Sequence, residues 1–260
     1  MEINIVGSGN VATRLAEAVA GAGHCVVCVA SRNMGHAARL AAKVGARAEV
    51  DLSRLPCADM TIVSVSDDAI SAVAGALCRS PSPGLVAHTS GATDIDALKP
   101  LPRRAVLYPC QTFSEGDGVE MRSVPFLVEA GDSLSLRMVV SLAHDIGGEV
   151  VEADGRQRAM LHLAAVFGNN FANHMLLHAE RLMTEARLPF SLLRPLMEKT
   201  VDKAFCVGPL DAQTGPARRG DMRTIDRHET LLQSRLQKEI YRLLTMSISD
   251  TYRDSARWPT

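Results

Sequence analysis

At 260 residues, with 47% apolar and 22% charged side chains, the chain is long enough to bury a core without disulfide staples and too apolar to remain disordered. Twelve basic residues stand against 16 acidic ones up to Val150 (−4), and 16 against 13 beyond it (+3), for a formal charge of −1. Neither part is a basic arm, which argues against nucleic acid and anionic membrane as partners, and aromatics at 4% argue against a site of stacked rings.

Short apolar runs alternate with helical patterns through the first 150 residues. Residues 3–6 read as a strand, 10–22 as a helix, 24–30 as a second strand, 33–44 as a second helix and 46–50 as a short third strand. The run 59–65 is the clearest buried strand, followed by a helix over 67–78. Strands over 84–88, 105–108 and 125–129 and a helix over 133–146 complete this part. Such alternation specifies an α/β domain with a mostly parallel sheet and helices on both faces. Ligands of these sheets sit beyond the carboxyl ends of the strands.

After Gly147-Gly148 the pattern changes. Asp154 and Gln157 have capping-box spacing, and helical periodicity runs on to about Ala186, then from Pro189 to about Cys206. A loop holds Gly208-Pro209 and Gln213-Thr214-Gly215-Pro216, and helices are expected over about 224–234 and 237–252. The predicted organisation is an α/β domain over 1–150 and an all-α domain over 151–260.

Glu2 stands where a secretory signal needs positive charge, and Gly7-Ser8-Gly9 interrupts the first apolar run. No stretch reaches the roughly 18 apolar residues of a membrane span. Six scattered cysteines in a chain of this length point to a reducing compartment, so the expected location is the cytoplasm. Cys25-Val26-Val27-Cys28 has redox or zinc spacing but falls in a strand, where residues three apart face opposite ways. His228-Glu229 lacks a second His at metalloprotease spacing, and no metal site is expected.

Val6-Gly7-Ser8-Gly9-Asn10-Val11-Ala12 fits the G-x-G-x-x-G/A pattern directly between the first strand and the first helix. The first glycine permits the tight turn, the second lets backbone approach a pyrophosphate, and the small third residue lets helix pack on strand. Free N–H groups and the positive end of the helix dipole favour phosphate there. Gly7, Ser8, Gly9, Asn10 and Val11 are therefore expected to bind a dinucleotide, with Val65 and Ser66 at the end of the 59–65 strand. About twenty residues on, where an acid would bind a ribose 2′-hydroxyl, stands Ala30-Ser31-Arg32. The Ser31 hydroxyl with the Arg32 guanidinium suits a 2′-phosphate, which makes NADP the expected cofactor. None of Tyr108, Tyr241 and Tyr252 is followed four residues later by Lys, and no Gly-Lys dipeptide occurs. Both absences exclude the corresponding Tyr-x-x-x-Lys and P-loop chemistries.

The helix over 160–183 is apolar round most of its circumference and is expected to be buried. At 100° per residue His162, Asn169 and Asn173 fall within about 40° of one another, with Asn170 about 80° from His162. Buried amides and imidazoles need partners, so this stripe faces either a ligand cleft or another helix in a dimer interface.

The chain resembles the Rossmann-like proteins with a C-terminal helical domain of unknown function that are labelled NADP oxidoreductases. Their distant relatives are the 6-phosphogluconate and β-hydroxyacid dehydrogenases, pyrroline-5-carboxylate reductase and the deazaflavin-dependent NADP oxidoreductases. The resemblance spans nearly the whole chain. It rests on the Val6–Ala12 turn, His88-Thr89-Ser90-Gly91, Tyr108-Pro109-Cys110-Gln111-Thr112-Phe113, His162-Leu163-Ala164-Ala165-Val166-Phe167 through Asn170-Phe171, and Ala212-Gln213-Thr214-Gly215-Pro216. It implies a Rossmann-type fold, NADP binding and a dimer. β-Hydroxyacid dehydrogenases use a Lys on the long helix with an Asn one turn later. Here no Lys stands between Arg156 and Met183; the lysines are Lys43, Lys99, Lys199, Lys203 and Lys238. His162 is the natural substitute as proton carrier, since imidazole titrates near neutral pH. Asn170 would then orient substrate, with Ser90, Tyr108, Gln111, Thr112 and Asn173 lining the same cleft.

Two functions fit these residues. One is an NADP(H)-dependent oxidoreductase acting on a small ketone, hydroxy acid or imine at the cleft between the domains. The other is a non-catalytic NADP(H)-binding sensor or interaction protein. The missing Lys favours the sensor; the Tyr108–Phe113 turn and the His162 stripe favour the enzyme. A homodimer through the helical domain is expected, because the 160–183 helix is apolar on more sides than its neighbours can cover. Arg218, Arg219, Arg223 and Arg227 read as a solvated loop and helix face.

Overall fold

The computed structural model describes residues 1–114, 116 and 118–254, and the chain divides into two compact units after Gly168. In the first unit, eight strands form one sheet: β1 (Glu2–Val6), β2 (Cys25–Ala30), β3 (Arg47–Glu49), β4 (Met60–Val63), β5 (Leu85–His88), β6 (Arg104–Pro109), β7 (Phe126–Ala130) and β8 (Val150–Glu152). Their order is β3-β2-β1-β4-β5-β6-β7-β8, parallel throughout except where β7 runs against β6. The chain order reverses between β1 and β4, and the crevice beyond the carboxyl ends of those two strands is the switch point where such sheets bind ligands.

Helices α1 (Asn10–Gly21), α2 (Met34–Val44), α3 (Ile70–Leu77), α4 (Ser133–Ile146) and α5 (Gly155–Ala165) accompany the sheet. Strand alternation divides the core in two. Ile3 and Ile5 pack with Leu15 and Leu142, whereas Val6, the next residue on β1, packs with Ile70 and Leu77. Because both faces are covered, β4 is buried at every position, which is why it is the plainest strand in the sequence. On β2, Cys25 is exposed and Cys28 buried, and both are free thiols. A register irregularity against β1 between Val26 and Cys28 breaks the expected alternation, so that Val26 and Val29, also three apart, pack into the same core.

Three local differences from the sequence reading have simple causes. β8 was not expected, because three residues between Gly147-Gly148 and the Asp154 cap are too few to show alternation. The helix expected over 67–78 opens with a 3₁₀ turn at Asp67–Ala69. The long helix is interrupted by a π turn at Val166–Phe171, after which α6 (Ala172–Glu185) continues. A π turn takes up one residue more than an α turn. The 100° count that groups His162 with Asn169 and Asn173 therefore does not carry across it.

The observed division at 168 lies later than the boundary near 150. β8 joins the sheet beside β7, and Arg158 ties α5 to β7, so both elements belong with the first unit. The second unit holds α6, α7 (Arg194–Val207), two one-turn helices α8 (Pro209–Ala212) and α9 (Pro216–Arg219), then α10 (Met222–Leu231) and α11 (Arg235–Asp254). The Gly/Pro-rich stretch thus carries α8 and α9 where a loop was expected. Each starts on a proline after a positive-φ glycine, Gly208 or Gly215, because proline suits the first helical position. No helix among the described residues is long and apolar enough to cross a membrane.

The expected burial of the 160–183 stretch is not met within one chain. Phe167 is 64% exposed and Leu163 49%. In the second unit Leu196, Val201, Leu231, Leu243 and Leu244 are exposed, and Phe205 reaches 90%.

Candidate active site

β1 ends in a turn that only glycine can make. Gly7 has φ 126°, and a Cβ there would overlap the Ser64 carbonyl. The turn is held from both neighbouring strands, by Gly7 N–H to the Ala30 carbonyl (2.8 Å) and Ser64 N–H to the Val6 carbonyl (2.7 Å). Gly9 caps α1 without a side-chain bond, and no acid stands in the first turn. The free N–H groups and positive dipole end of α1 therefore remain for an anion, which fits a pyrophosphate. Asn10 Nδ2 donates to the Phe113 carbonyl at 3.0 Å, tying the helix start to the loop after β6.

A cavity of about 930 Å³ lies over this turn, and its walls come wholly from the first unit. Gly7, Ser8, Gly9, Asn10 and Val11 line it, with Ser31 and Arg32 after β2 and Val65 and Ser66 after β4. Ser90 and Gly91 after β5, Tyr108 of β6 and His162 of α5 also line it, as does Asp67. Near β2, Ser8 Oγ and Ser31 Oγ are 2.8 Å apart. Glu49, in register with Ala30, is already engaged: Arg47 foremost, then the N–H groups of Val50 and Asp51, hold its carboxyl down to about 2.

Elsewhere on the cavity wall, Tyr108 Oη lies 3.3 Å from His162 Nδ1, the two rings meeting edge to face at 68°. Burial, reinforced by the Cys110 thiol, pushes the Tyr108 phenol up to about 12, so it keeps its proton. Gly91 closes against the pair: a Cβ there would stand 2.7 Å from Tyr108 Cζ and 2.9 Å from His162 Nδ1. The Gly91 loop is shaped by Ser90, whose Oγ accepts from the N–H groups of Ala92 (3.2 Å) and Thr93 (3.0 Å) and donates to Thr93 Oγ1 (2.9 Å). Ser90 N–H in turn donates to Nδ1 of His88 at 3.2 Å. His88 is fully buried, and that burial, with Arg158 adding to it, pushes the imidazole down to about 4.

The structure thus brings together every residue expected to hold the cofactor, along with Ser90, Tyr108 and His162. Gln111 and Thr112 are not on the cavity wall. After β6 the chain bends, Gln111 N–H bonding the Pro109 carbonyl and Thr112 N–H the Gln111 side chain, so both stay exposed and Phe113 turns inward instead. Asn170 and Asn173 belong to the second unit and are exposed there, Asn170 within the π turn. Phe113 and the close approach of Gly91 were missed, although both lie in runs that the sequence reading marked. Among the described residues no group of three or more His, Cys, Asp and Glu is placed to hold a metal ion.

Sheet order, glycine turn and cavity together define a dinucleotide-binding protein of the Rossmann type. Residues 2–87 match the family model described as NADP oxidoreductase, coenzyme F420-dependent, and residues 124–248 match a domain of unknown function, DUF2520. The chain is similar to BF3122 of Bacteroides fragilis, assigned as an NADP oxidoreductase: 36% identity, 96% of this chain and 98% of that one covered, TM-score 0.89. TM1727 of Thermotoga maritima is 22% identical over 98% of this chain and 100% of that one, TM-score 0.75. A reductive aminase from Aspergillus terreus, in complex with NADPH and ethyl levulinate, shares the fold at 18% identity over 97% and 94% of the two chains, TM-score 0.73. No curated protein sequence matches the chain. The chain belongs to the family of NADP oxidoreductases that join a Rossmann-type domain to a DUF2520 domain, and NADP is its cofactor.

Proposed function

We propose that the protein transfers a hydride between NADP(H) and a small ketone, hydroxy acid or imine, with Tyr108 and His162 handling the proton. The observation that carries this reading is the Tyr108–His162 hydrogen bond on the wall of the cavity that also holds the Gly7–Val11 turn. Bound NADPH supplies the hydride. The protein's part is to deliver a proton to the oxygen or nitrogen that gains charge.

The pair has two proton arrangements. Tyr108 donates to His162 Nδ1 and leaves Nε2–H as the outgoing donor, or Tyr108 accepts from Nδ1–H and turns its own hydrogen outward. In the first, Nε2–H is the proton given up, and water restores it while the phenol keeps its own. In the second, the phenol proton is given up and replaced from Nδ1–H as Nε2 takes one from water, and neither route needs a lysine. Ser90 is the proposed substrate contact on the β5 side. The reductive aminase, which binds NADPH with a keto ester, supports a C=O or C=N substrate class.

The first unit is in this reading the NADP-binding domain and the second the substrate and dimerisation domain. A second copy of the chain is the proposed cover for the exposed apolar side chains of the second unit, Phe205 on α7 and Leu243 on α11 among them, and the cytoplasm the proposed location. A panel of ketones, hydroxy acids and ketone–amine mixtures, followed at the NADPH absorbance with calorimetry in parallel, tests the function. Turnover of a carbonyl or imine is expected. NADPH binding with no turnover anywhere in the panel would favour a cofactor sensor instead.

A further inference from the structure

We infer that Arg158 is the positioning residue of the Tyr108–His162 pair, its buried guanidinium fixing the register of α5 against β6, β7 and the loop 90–94. This rests on the reading of that pair as the proton-handling group.

Arg158 is 1% exposed and heads the large side chains that are fully buried. Burying a guanidinium is costly unless it is paired, and an apolar side chain of similar volume would often be as stable. Its presence therefore calls for a role beyond packing. Nη1 donates to Glu129 Oε2 on β7 at 2.5 Å, and Nη2 donates to the Thr93 carbonyl at 2.8 Å. Nε has no hydrogen-bond partner, so these two contacts alone orient the group.

The geometry of helix and strand turns those contacts into a register lock. Arg158 and His162 are four residues apart on α5, so they share one face and are separated by about 6 Å. Glu129 faces Val106 across the β6–β7 ladder, and Tyr108 is two residues further along β6. Glu129 and Tyr108 therefore project from the same face of the sheet, one strand period of about 6.8 Å apart along it. Helix and strand run in step: Arg158 meets Glu129 where His162 meets Tyr108. A slip of one residue would rotate α5 by about 100° and carry His162 off the phenol. At 3.3 Å the bond is already long, so a shift well under one residue breaks it.

The third anchor closes the same arrangement from the β5 side. Thr93 belongs to the turn that Ser90 shapes, and Gly91 in that turn touches both rings. At the start of α5, a Cβ on Gly155 would stand 2.9 Å from Asp94 Oδ2, so the helix start packs close to the side chain at the end of this loop. One cation on α5 thus joins β7, the strand that pairs with the Tyr108 strand β6, to the loop that closes on both rings.

The test uses the full chain with Arg158→Lys and, since a buried change can prevent folding, the milder Glu129→Gln. An ammonium reaches one of the two partners but cannot fork to both. Crystal structures with NADPH should show the Tyr108 Oη–His162 Nδ1 separation opened beyond hydrogen-bond distance, while calorimetry finds NADPH affinity changed by less than about twofold. On the substrate returned by the panel, turnover should fall roughly 10- to 100-fold, and that loss should vanish in a His162→Ala background because both changes act through one group. Variants that keep the pair intact, or losses that simply add to those of His162→Ala, would overturn the inference. If no substrate is turned over by the unaltered protein, the functional reading fails, whereas the separation of the two rings still decides the role of Arg158.

Discussion

Ser8 Oγ meets Ser31 Oγ at 2.8 Å, so the phosphate turn after β1 and the end of β2 are joined by a pair of hydroxyls, with Arg32 exposed beside them. A 2′-phosphate placed there gains a guanidinium and meets no free carboxylate from Glu49, which Arg47 already holds. NADPH should bind at least about tenfold more tightly than NADH, a difference of about 1.4 kcal/mol. Arg32→Ala should erase most of that preference. Calorimetry with both cofactors checks it, and equal affinities in the unaltered protein would sink the claim.

The two glycines of the turn should fail differently. Gly7→Ala forces a Cβ onto the Ser64 carbonyl at a φ of 126°, so it should cost about 3 kcal/mol of stability and abolish cofactor binding. A Cβ on Gly9 meets no protein atom within 4 Å, so Gly9→Ala should fold normally. It should still weaken NADPH binding, since that glycine lets backbone approach the pyrophosphate. Thermal melts beside binding titrations separate the two, and a Gly9→Ala protein with unchanged affinity would place the pyrophosphate elsewhere.

This contrast marks what could be read from the sequence. The β1–turn–α1 unit is local: seven consecutive residues, Val6 to Ala12, fix its conformation and its chemistry together. Buried strands such as β4 and the helix α4 were equally plain, because each carries its own periodicity. Arg158 gave no such signal. Its partners, Glu129 and Thr93, lie 29 and 65 residues away, and without them it looks like any arginine on a helix. Gln111 and Thr112 missed the cavity because one bend after β6 decides which of three neighbours turns inward. The π turn at Val166–Phe171 hides inside an unbroken helical pattern, since it changes hydrogen bonding more than composition.

His88 gives the first unit a pH dependence of known sign. Burial first, then Arg158, pushes its folded pKa down to about 4, against the pull of Asp67 and Asp94 and below an unfolded value near 6.5. The unfolded chain therefore takes up the proton first. This contribution to stability is complete above about pH 6.5 and is lost as pH falls toward 4, on the order of 3 kcal/mol in all. Urea midpoints between pH 7.5 and 4.5 should drop accordingly. The slope should flatten in His88→Gln, whose side-chain oxygen can still accept from Ser90 N–H; an equally steep curve in that variant would assign the loss to other groups.

The apolar surface of the second unit predicts a dimer. Phe205 at 90% exposure, with Leu243 and Leu244 also uncovered, is more than an isolated chain would leave in water. Light scattering at micromolar concentration should return twice 27.9 kDa, and Phe205→Glu should shift the population toward the single chain. A monomer in the unaltered protein would rule out a dimer at working concentration.

Removing the imidazole should separate chemistry from binding. His162 touches Tyr108 and Gly91, whereas the cofactor turn is held by Ala30 and Ser64. His162→Ala should therefore lower turnover by roughly 100-fold or more, in the range that a positioned proton donor contributes, and leave NADPH affinity within about twofold. Tyr108→Phe removes the phenol but keeps the ring against Gly91, so a smaller loss of about tenfold is expected. Because burial holds the Tyr108 phenol up to about 12, an alkaline limb below pH 10 in the rate profile belongs to another group and should survive in Tyr108→Phe. If His162 serves only packing, the substitution should instead lower the melting temperature and leave turnover per folded molecule unchanged. That outcome would take the proton-carrying role away from His162.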